Sequence, residues 1–374
     1  MPAVPIPAQA VLAVVSFALT SGMVLAWAWA IGRFARGLPL LPRRESRVVP
    51  WGVGSVLVVI VVSLAVNFTA GMIYSAVVGG GGRVSPRALL VVMAGANLVQ
   101  LVLFPLTLRL TSGARLADFG LGRRPDAIDI WRGAVGCLLM VPIVYGLLTL
   151  LTRIWEPQRH PLEEMVKANP TGSIALIAFV SGVVLAPAAE ELLFRGILQG
   201  WLERACSGLA RKPRGFTDEF DLLGHGPGEP APIVLEEIVV SAPGEPRTVW
   251  SAPLASLAPP AMPPPAAPRS RQGGLMRVLP NVVTSLLFAG LHSSQWPAPI
   301  PLFFLSLAMG ELYRRTGGLV APFTLHATFN GLSTLMLYLA LLSGVKPPPK
   351  VPETAPAPLP AAAPSRATPR SAIP

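Results

Sequence analysis

Two carboxylates and an arginine stand in one apolar stretch of this chain, Ala188-Ala189-Glu190-Glu191-Leu192-Leu193-Phe194-Arg195-Gly196, just after Pro187. On a helix Glu191 and Arg195 are four residues apart with the acid first, the favoured order for an ion pair, so Arg195 can neutralise Glu191. Glu190 then projects about 100° away and is left without a close cation, a carboxylate suited to taking a proton from water. Two histidines follow in separate apolar stretches, Phe288-Ala289-Gly290-Leu291-His292 and His326-Ala327-Thr328-Phe329-Asn330. His326 and Asn330, four apart, share one helix face and can point at one small volume. A base for water and donors aimed at a developing negative oxygen are what amide hydrolysis requires. His292, His326 and Glu190 are equally the two-His, one-carboxylate donors of a catalytic zinc with water in the fourth position. No His-Glu-x-x-His occurs, so the cofactor expectation stays divided between none and zinc.

These groups are informative because of where they sit. Of 374 residues 52% are hydrophobic and 13% charged, and mean hydropathy is +0.57, which excludes a soluble globular chain. The apolar residues gather into runs at about 9 to 32, 51 to 78, 88 to 108, 131 to 151, 172 to 202, 278 to 296, 299 to 313 and 318 to 343, each long enough or nearly so to cross about 30 Å of hydrocarbon. The fold class expected is therefore all-α, a polytopic membrane bundle of about eight helices. A charged group near mid-span costs at least about 2.5 to 3.5 kcal/mol, so an ionisable residue there points to function.

The net charge of +11 lies mainly in loops, which marks topology and makes the lipid bilayer the partner, with no nucleic acid expected. Arg33, Arg36, Arg43, Arg44 and Arg47 after the first run put that side in the cytoplasm and the N-terminus outside; Arg109, Arg115, Arg123, Arg124, Arg314 and Arg315 then fall inside by alternation. Cys137 and Cys206 alone exclude a disulfide framework or a four-cysteine metal site.

Five segments are expected: N-terminal transmembrane helices and loops at 1–129, the first part of the site-bearing domain at 130–206, a Pro/Gly-rich disordered cytoplasmic linker at 207–276, the second part at 277–345, and a Pro/Ala-rich disordered tail at 346–374. Inside the linker Ile233 to Val240 is apolar enough for a short strand or docking segment. Glu311 is expected to pair with Arg315 at the inner end of its span. Asn67, Asn97 and Gln100 are expected as interhelical hydrogen-bond partners, and His160 and His225 as solvated bystanders.

Taken in chain order, Glu190-Glu191-x-x-x-Arg195, Phe288-x-x-x-His292 and His326-x-x-x-Asn330, with Phe194-Arg195-Gly196 after the acids and Tyr313-Arg314-Arg315-Thr316-Gly317-Gly318-Leu319 before the last motif, resemble the CPBP intramembrane protease family. That family includes type 2 CAAX prenyl endopeptidases and bacteriocin-processing relatives. The resemblance covers about 130 to 345 without the linker, which is longer than the connection such a family would lead one to expect. It implies peptide-bond hydrolysis at the bilayer, with Glu190 and His292 activating water, His326 and Asn330 stabilising the oxyanion, and Glu191, Arg195 and Phe288 supporting them. It also implies a peptide or protein substrate, lipidated in the eukaryotic members, and a multi-pass protein of the bacterial plasma membrane. Two alternatives stand beside it, an idle immunity or scaffold protein of the same fold and a proton-coupled transporter. No Gly-x-Ser-x-Gly and no Gly-x-Gly-Asp occurs, which disfavours serine and aspartyl intramembrane proteases.

Overall fold

The structure is a computed structural model that describes residues 6–41, 48–78, 86–121, 127–156, 172–207 and 274–342. Within them run eight helices: α1 (Ile6–Ala35), α2 (Val53–Val78), α3 (Pro86–Ser112), α4 (Ala127–Leu151), α5 (Gly172–Ser207), α6 (Gly274–Leu291), α7 (Pro299–Thr316) and α8 (Val320–Leu342). No strand occurs among the described residues. The protein is an all-α polytopic bundle. The expected linker and tail, with Ile233 to Val240, His160 and His225, lie outside the described residues apart from the linker's two ends.

The helices match the expected spans to within a few residues, with one change that matters. The sixth was expected to run to 296, but α6 stops at Leu291, and His292 begins a short 3-10 turn over Ser293–Gln295. The next turn closes on Pro297, whose ring fixes φ and removes an N–H, so the helical ladder does not pass through it. His292 therefore stands at a helix end, not within the helix.

Five helices, α1 to α5, are long and apolar enough to cross a membrane on length and composition. Their outer faces would be expensive in water: Phe17, Phe34 and Phe68 are 76, 83 and 72% exposed, as lipid-facing side chains should be. α7 and α8 have 18 and 23 residues, but Glu311, Arg314 and Arg315 in the one and Thr324, His326, Thr328, Asn330, Ser333 and Thr334 in the other dilute their apolar character. The two histidine motifs thus stand on or beside the less lipid-like helices, while the glutamates and Arg195 stand on α5, one of the five apolar spans.

α5 is the central element. Its first half packs against α3 and α8, and its second half against α6 and α7; α4 lies along α8 and α7, α1 against α4, and α2 against α3. Apolar helices gain little from hydrophobic burial when their surroundings are lipid, so close backbone approach has to supply contact. Gly133 of α4 meets α8 so tightly that a Cβ there would lie 2.5 Å from the Ala321 carbonyl oxygen and 2.6 Å from Thr324 Cβ. The turn from α7 to α8 uses Gly317 at φ +69°, a left-handed conformation that glycine adopts without strain. It is seated on Gly120, where a Cβ would stand 2.5 Å from Gly318 Cα.

The N-terminal helices belong to the same packed body. Trp51, fully buried, stacks on Phe119 at 5.0 Å and donates its indole N–H to the Ile197 carbonyl of α5 at 3.1 Å. Arg204 near the end of α5 donates to the carbonyls of Pro50 and Trp51, both at 2.8 Å. Two polar expectations change. Asn67 bonds the Ser63 carbonyl of its own helix at 2.8 Å instead of a neighbouring helix, and Glu311 accepts from Arg314 at 2.7 and 2.8 Å as well as from Arg315.

Replacing Gly133 with alanine should cost about 1 to 3 kcal/mol through overpacking. Gly146→Ala, on the same helix with nothing within 4 Å of its Cβ position, should stay within about 0.5 kcal/mol of wild type. Equilibrium unfolding in mixed micelles measures both, and equal effects would remove the Gly133 crossing as a determinant of the bundle.

Candidate active site

The site begins with a proline. Pro187 has no N–H, so one carbonyl on the preceding turn loses its helical donor. α5 neither breaks nor stops there; it widens into π turns over Val180–Leu185 and again over Leu192–Gln199, with one α-helical turn, Ala186–Glu191, between them. The Ala186 N–H reaches back five residues to the Ser181 carbonyl. In that wider register the N–H due to meet Gly182 O would be that of residue 187, and proline has none. The vacancy is filled from another helix: Asn330 Nδ2 of α8 donates to Gly182 O at 2.9 Å. π turns of this kind frequently mark functional sites.

The short α turn held between them carries both glutamates. Glu191 is almost fully buried and splits its carboxylate between two partners, Oε2 lying 3.2 Å from Arg195 Nε and Oε1 2.9 Å from His326 Nδ1. The Arg195 pair is the one read from the sequence; the His326 bond is an addition to it. Glu190 was expected to point away and remain free, but its Oε2 lies 3.7 Å from His326 Nε2, and its side chain is 33% exposed. Two consecutive acids therefore face the two ring nitrogens of one imidazole. Since Glu191 is held by a guanidinium, it accepts, and Nδ1 is the nitrogen that donates. Nε2 is then the edge presented to Glu190 and to anything bound beside it.

Arg195 is fully buried, and the Glu191 carboxylate, one serine and two aromatic rings offset the cost of burying its charge. Its Nη2 donates to Ser306 Oγ at 3.0 Å and to the Ser306 carbonyl at 3.3 Å. The guanidinium carbon lies 5.2 Å from the centre of the Phe288 ring and 5.9 Å from that of Phe194, within cation–π range. Phe288, also buried, stands between the two histidines, 4.8 Å from the His292 ring and 5.7 Å from the His326 ring, and meets Phe194 edge-on at 5.4 Å. His292 turns its Nδ1 to the Phe288 carbonyl at 2.9 Å, and no hydrogen bond or ion pair joins it to either glutamate among the described residues.

Among the described residues, no group of three His, Cys, Asp or Glu side chains is placed to hold a metal ion. The triad considered from the sequence, His292, His326 and Glu190, does not form such a group, and both nitrogens of His326 face glutamates. As arranged the set does not fit a metal, and no step is derived through one.

Around these residues lies a polar group the motifs do not contain. Gln199 Nε2 donates to the Gly310 carbonyl of α7 at 3.0 Å and to Glu203 at 2.9 Å, and Asn281 Nδ2 of α6 donates to the Leu307 carbonyl at 3.0 Å. One signal for the α5 members is visible in the chain: Glu191, Arg195, Gln199 and Glu203 recur every four residues along an otherwise apolar helix.

Residues 266–332 match the family model described as type II CAAX prenyl endopeptidase, Rce1-like. This part of the chain is Rce1-like. The match contains α6, α7 and the half of α8 with His292, His326 and Asn330, and agrees with the resemblance drawn from the motifs. The Glu190-Glu191-x-x-x-Arg195 motif lies outside the matched residues, on α5. No curated protein and no solved structure matches the chain. The apolar helices together with the Rce1-like segment make this an integral membrane protein.

Removing Arg195 while leaving Glu191 strands a buried carboxylate, so Arg195→Met should lose about 3 to 5 kcal/mol. The double variant Glu191→Gln/Arg195→Met should recover much of that loss in the same unfolding measurement. A double variant as unstable as the single would show that packing, not charge, holds Arg195 in place.

Proposed function

We propose that the protein is an intramembrane endopeptidase that hydrolyses a peptide bond of a membrane-associated substrate, a C-terminal CAAX-type peptide with or without its lipid. The observation that carries this reading is the clamp of Glu190 and Glu191 on His326: a motif outside the Rce1-like match comes into contact with one inside it, across 135 residues of chain. The Rce1-like description of the matched segment supplies the reaction class and the kind of substrate.

Glu190 is the base. It is the one acid of the pair that is not tied to a cation, and its partial exposure lets water reach it. It takes a proton from that water as the oxygen attacks the scissile carbonyl carbon, and the proton then passes to the amide nitrogen as the C–N bond breaks. His292, just past the end of α6 and in contact with the Phe288 ring, orients the water. The charge that develops on the carbonyl oxygen needs donors already in place. His326 offers its Nε2 edge when protonated. The Asn330 amide has two N–H groups, of which the Gly182 bond uses one, leaving the other for the oxyanion. Glu191 and Arg195 do not touch the substrate; they fix the tautomer and orientation of His326 and keep the glutamate turn in place. The bulk of α1 to α4 serves as the lipid-facing wall, with the 207–276 linker on the cytoplasmic side.

Cleavage by the purified full chain in lipid, using a prenylated C-terminal peptide and its unprenylated twin, tests this. Glu190→Ala, His292→Ala and His326→Ala should each lower kcat/KM by about 100-fold or more with the fold intact. Exhaustive chelation should leave activity unchanged; loss restored by zinc would bring a metal into the mechanism. Equal cleavage by all variants would place the activity elsewhere, and a folded wild type that cuts no peptide would favour an idle binding protein.

A further inference from the structure

The contacts between α5 and α7 have a regularity that the proposed chemistry does not use. Arg195 meets Ser306 and Gln199 meets Gly310, and both pairs are separated by 111 residues. A constant offset means that the two helices run parallel and in register, with rungs one helical turn apart. Gly310 leaves room for both amides: a Cβ there would stand 1.8 Å from Asn281 Oδ1 of α6 and 2.8 Å from Gln199 Oε1 of α5, so glycine is required for the second rung to close. Asn281, reaching across from α6, binds the Leu307 carbonyl on the same stretch of α7 and accepts from Ser285 at 3.3 Å. Gln199, Ser306, Ser285 and Asn281 are all buried.

What lies beyond the ladder gives it meaning. α7 passes into α8 through three residues, Gly317 to Leu319, and that turn is pinned on Gly120. His326 follows on the second turn of α8. The position of α7 along α5 therefore sets the position of His326 against Glu190 and Glu191, with little slack in between. The apolar contacts of the interface, such as Leu305 and Met309 with Ile197, are all of one kind and would be nearly as well satisfied after a slip. A slip of one turn moves a helix by about 5.4 Å, more than the 2.9 and 3.7 Å distances that define the clamp. Directional polar rungs select one register where apolar packing does not.

We propose that the Arg195–Ser306 and Gln199–Gly310 rungs are the positioning device for His326, which makes Ser306 and Gln199, with Gly310 and Asn281 beside them, positioning residues of the active site. The chemistry invoked is that of the peptidase reading; the positioning itself stands on the helix register.

The test therefore uses a readout that does not require cleavage. The chain has four histidines, and the imidazole N–H of His326, bonded to a buried carboxylate, should give a far-downfield proton resonance in nitrogen-15-labelled protein, assigned by its loss in His326→Gln. Ser306→Ala and Gln199→Leu should shift or broaden that resonance, and Gly146→Ala should leave it in place. Gly310→Ala should displace it too, since a Cβ there meets the amides of both Asn281 and Gln199. In the same variants kcat should fall about tenfold, with KM within about twofold of wild type. A resonance unmoved in Ser306→Ala, Gln199→Leu and Gly310→Ala overturns the proposal whatever activity does. A resonance that moves as described in a protein that cuts no peptide upholds the ladder and removes the peptidase reading alone.

Discussion

A guanidinium with no exposed surface, inside a bundle built for lipid, is the constraint that the rest of this molecule answers. Arg195 cannot be solvated, so its charge has to be offset by protein groups, and the structure supplies the Glu191 carboxylate, Ser306 and the rings of Phe288 and Phe194. These come from α5, α6 and α7, which fixes three helices about one charge. Glu191, held in this way, is available to hold His326 from α8, the fourth. Removing one member of such a buried set leaves the others unpaired, so the cluster stays whole or fails together.

The backbone of α5 shows how a helix is shaped to present such a cluster. Consecutive residues on a regular helix face different directions, and Glu190 and Glu191, on the α-helical turn between the two π segments, reach one imidazole from its two sides. Pro187 deprives the helix of a donor, and the turns on either side of the glutamates widen. The cost is an orphaned carbonyl at Gly182, and in hydrocarbon an unsatisfied carbonyl is expensive. Asn330 satisfies it from α8, one turn past His326. The same residue thus serves the backbone irregularity and borders the site that the irregularity creates, which accounts for His326 and Asn330 lying four apart.

Much of this was legible in the chain because the bilayer simplifies the reading. Runs of about twenty apolar residues define helices, and eight were expected where eight are described; any acid, arginine or histidine inside such a run is conspicuous. Hence Glu190, Glu191, Arg195 and His326 could be picked out, with the Glu191–Arg195 pair. What could not be read is what depends on departures from ideal helices and on contacts between them. A repeat of 3.6 residues turns Glu190 away from its neighbour, and the sequence does not state that a histidine of α8 lies where both carboxylates reach it. The end of α6 at Leu291 depends on the turn leading to Pro297, so His292 looked like a residue within a span. Ser306 and Gly310 are unremarkable residues in any membrane helix; their role comes from an inter-helix register that one sequence does not state. The first three helices carry no motif, yet Trp51 and Phe119 lock the loop before α2 beneath the π turn at Ile197.

The distribution of hydropathy along the chain follows from the same physics. A hydrolytic site needs polar groups and water, and every polar group in a helix weakens that helix as a free-standing span. α6, α7 and α8 carry Asn281, Ser306, His326 and Asn330, and none of the three is among the five spans that length and composition pick out among the described residues, whereas α5 with its glutamates and Arg195 is. They gain stability from neighbours that contribute little chemistry: α4 lies along both α7 and α8, while α3 shields the first half of α5. The more apolar N-terminal helices are what allow the C-terminal ones to be polar. The Rce1-like match covers α6, α7 and half of α8, whose polar side chains are held by hydrogen bonds and ring contacts. The lipid-facing shell has only to be helical, apolar and narrow at a few glycines, and many sequences meet that requirement.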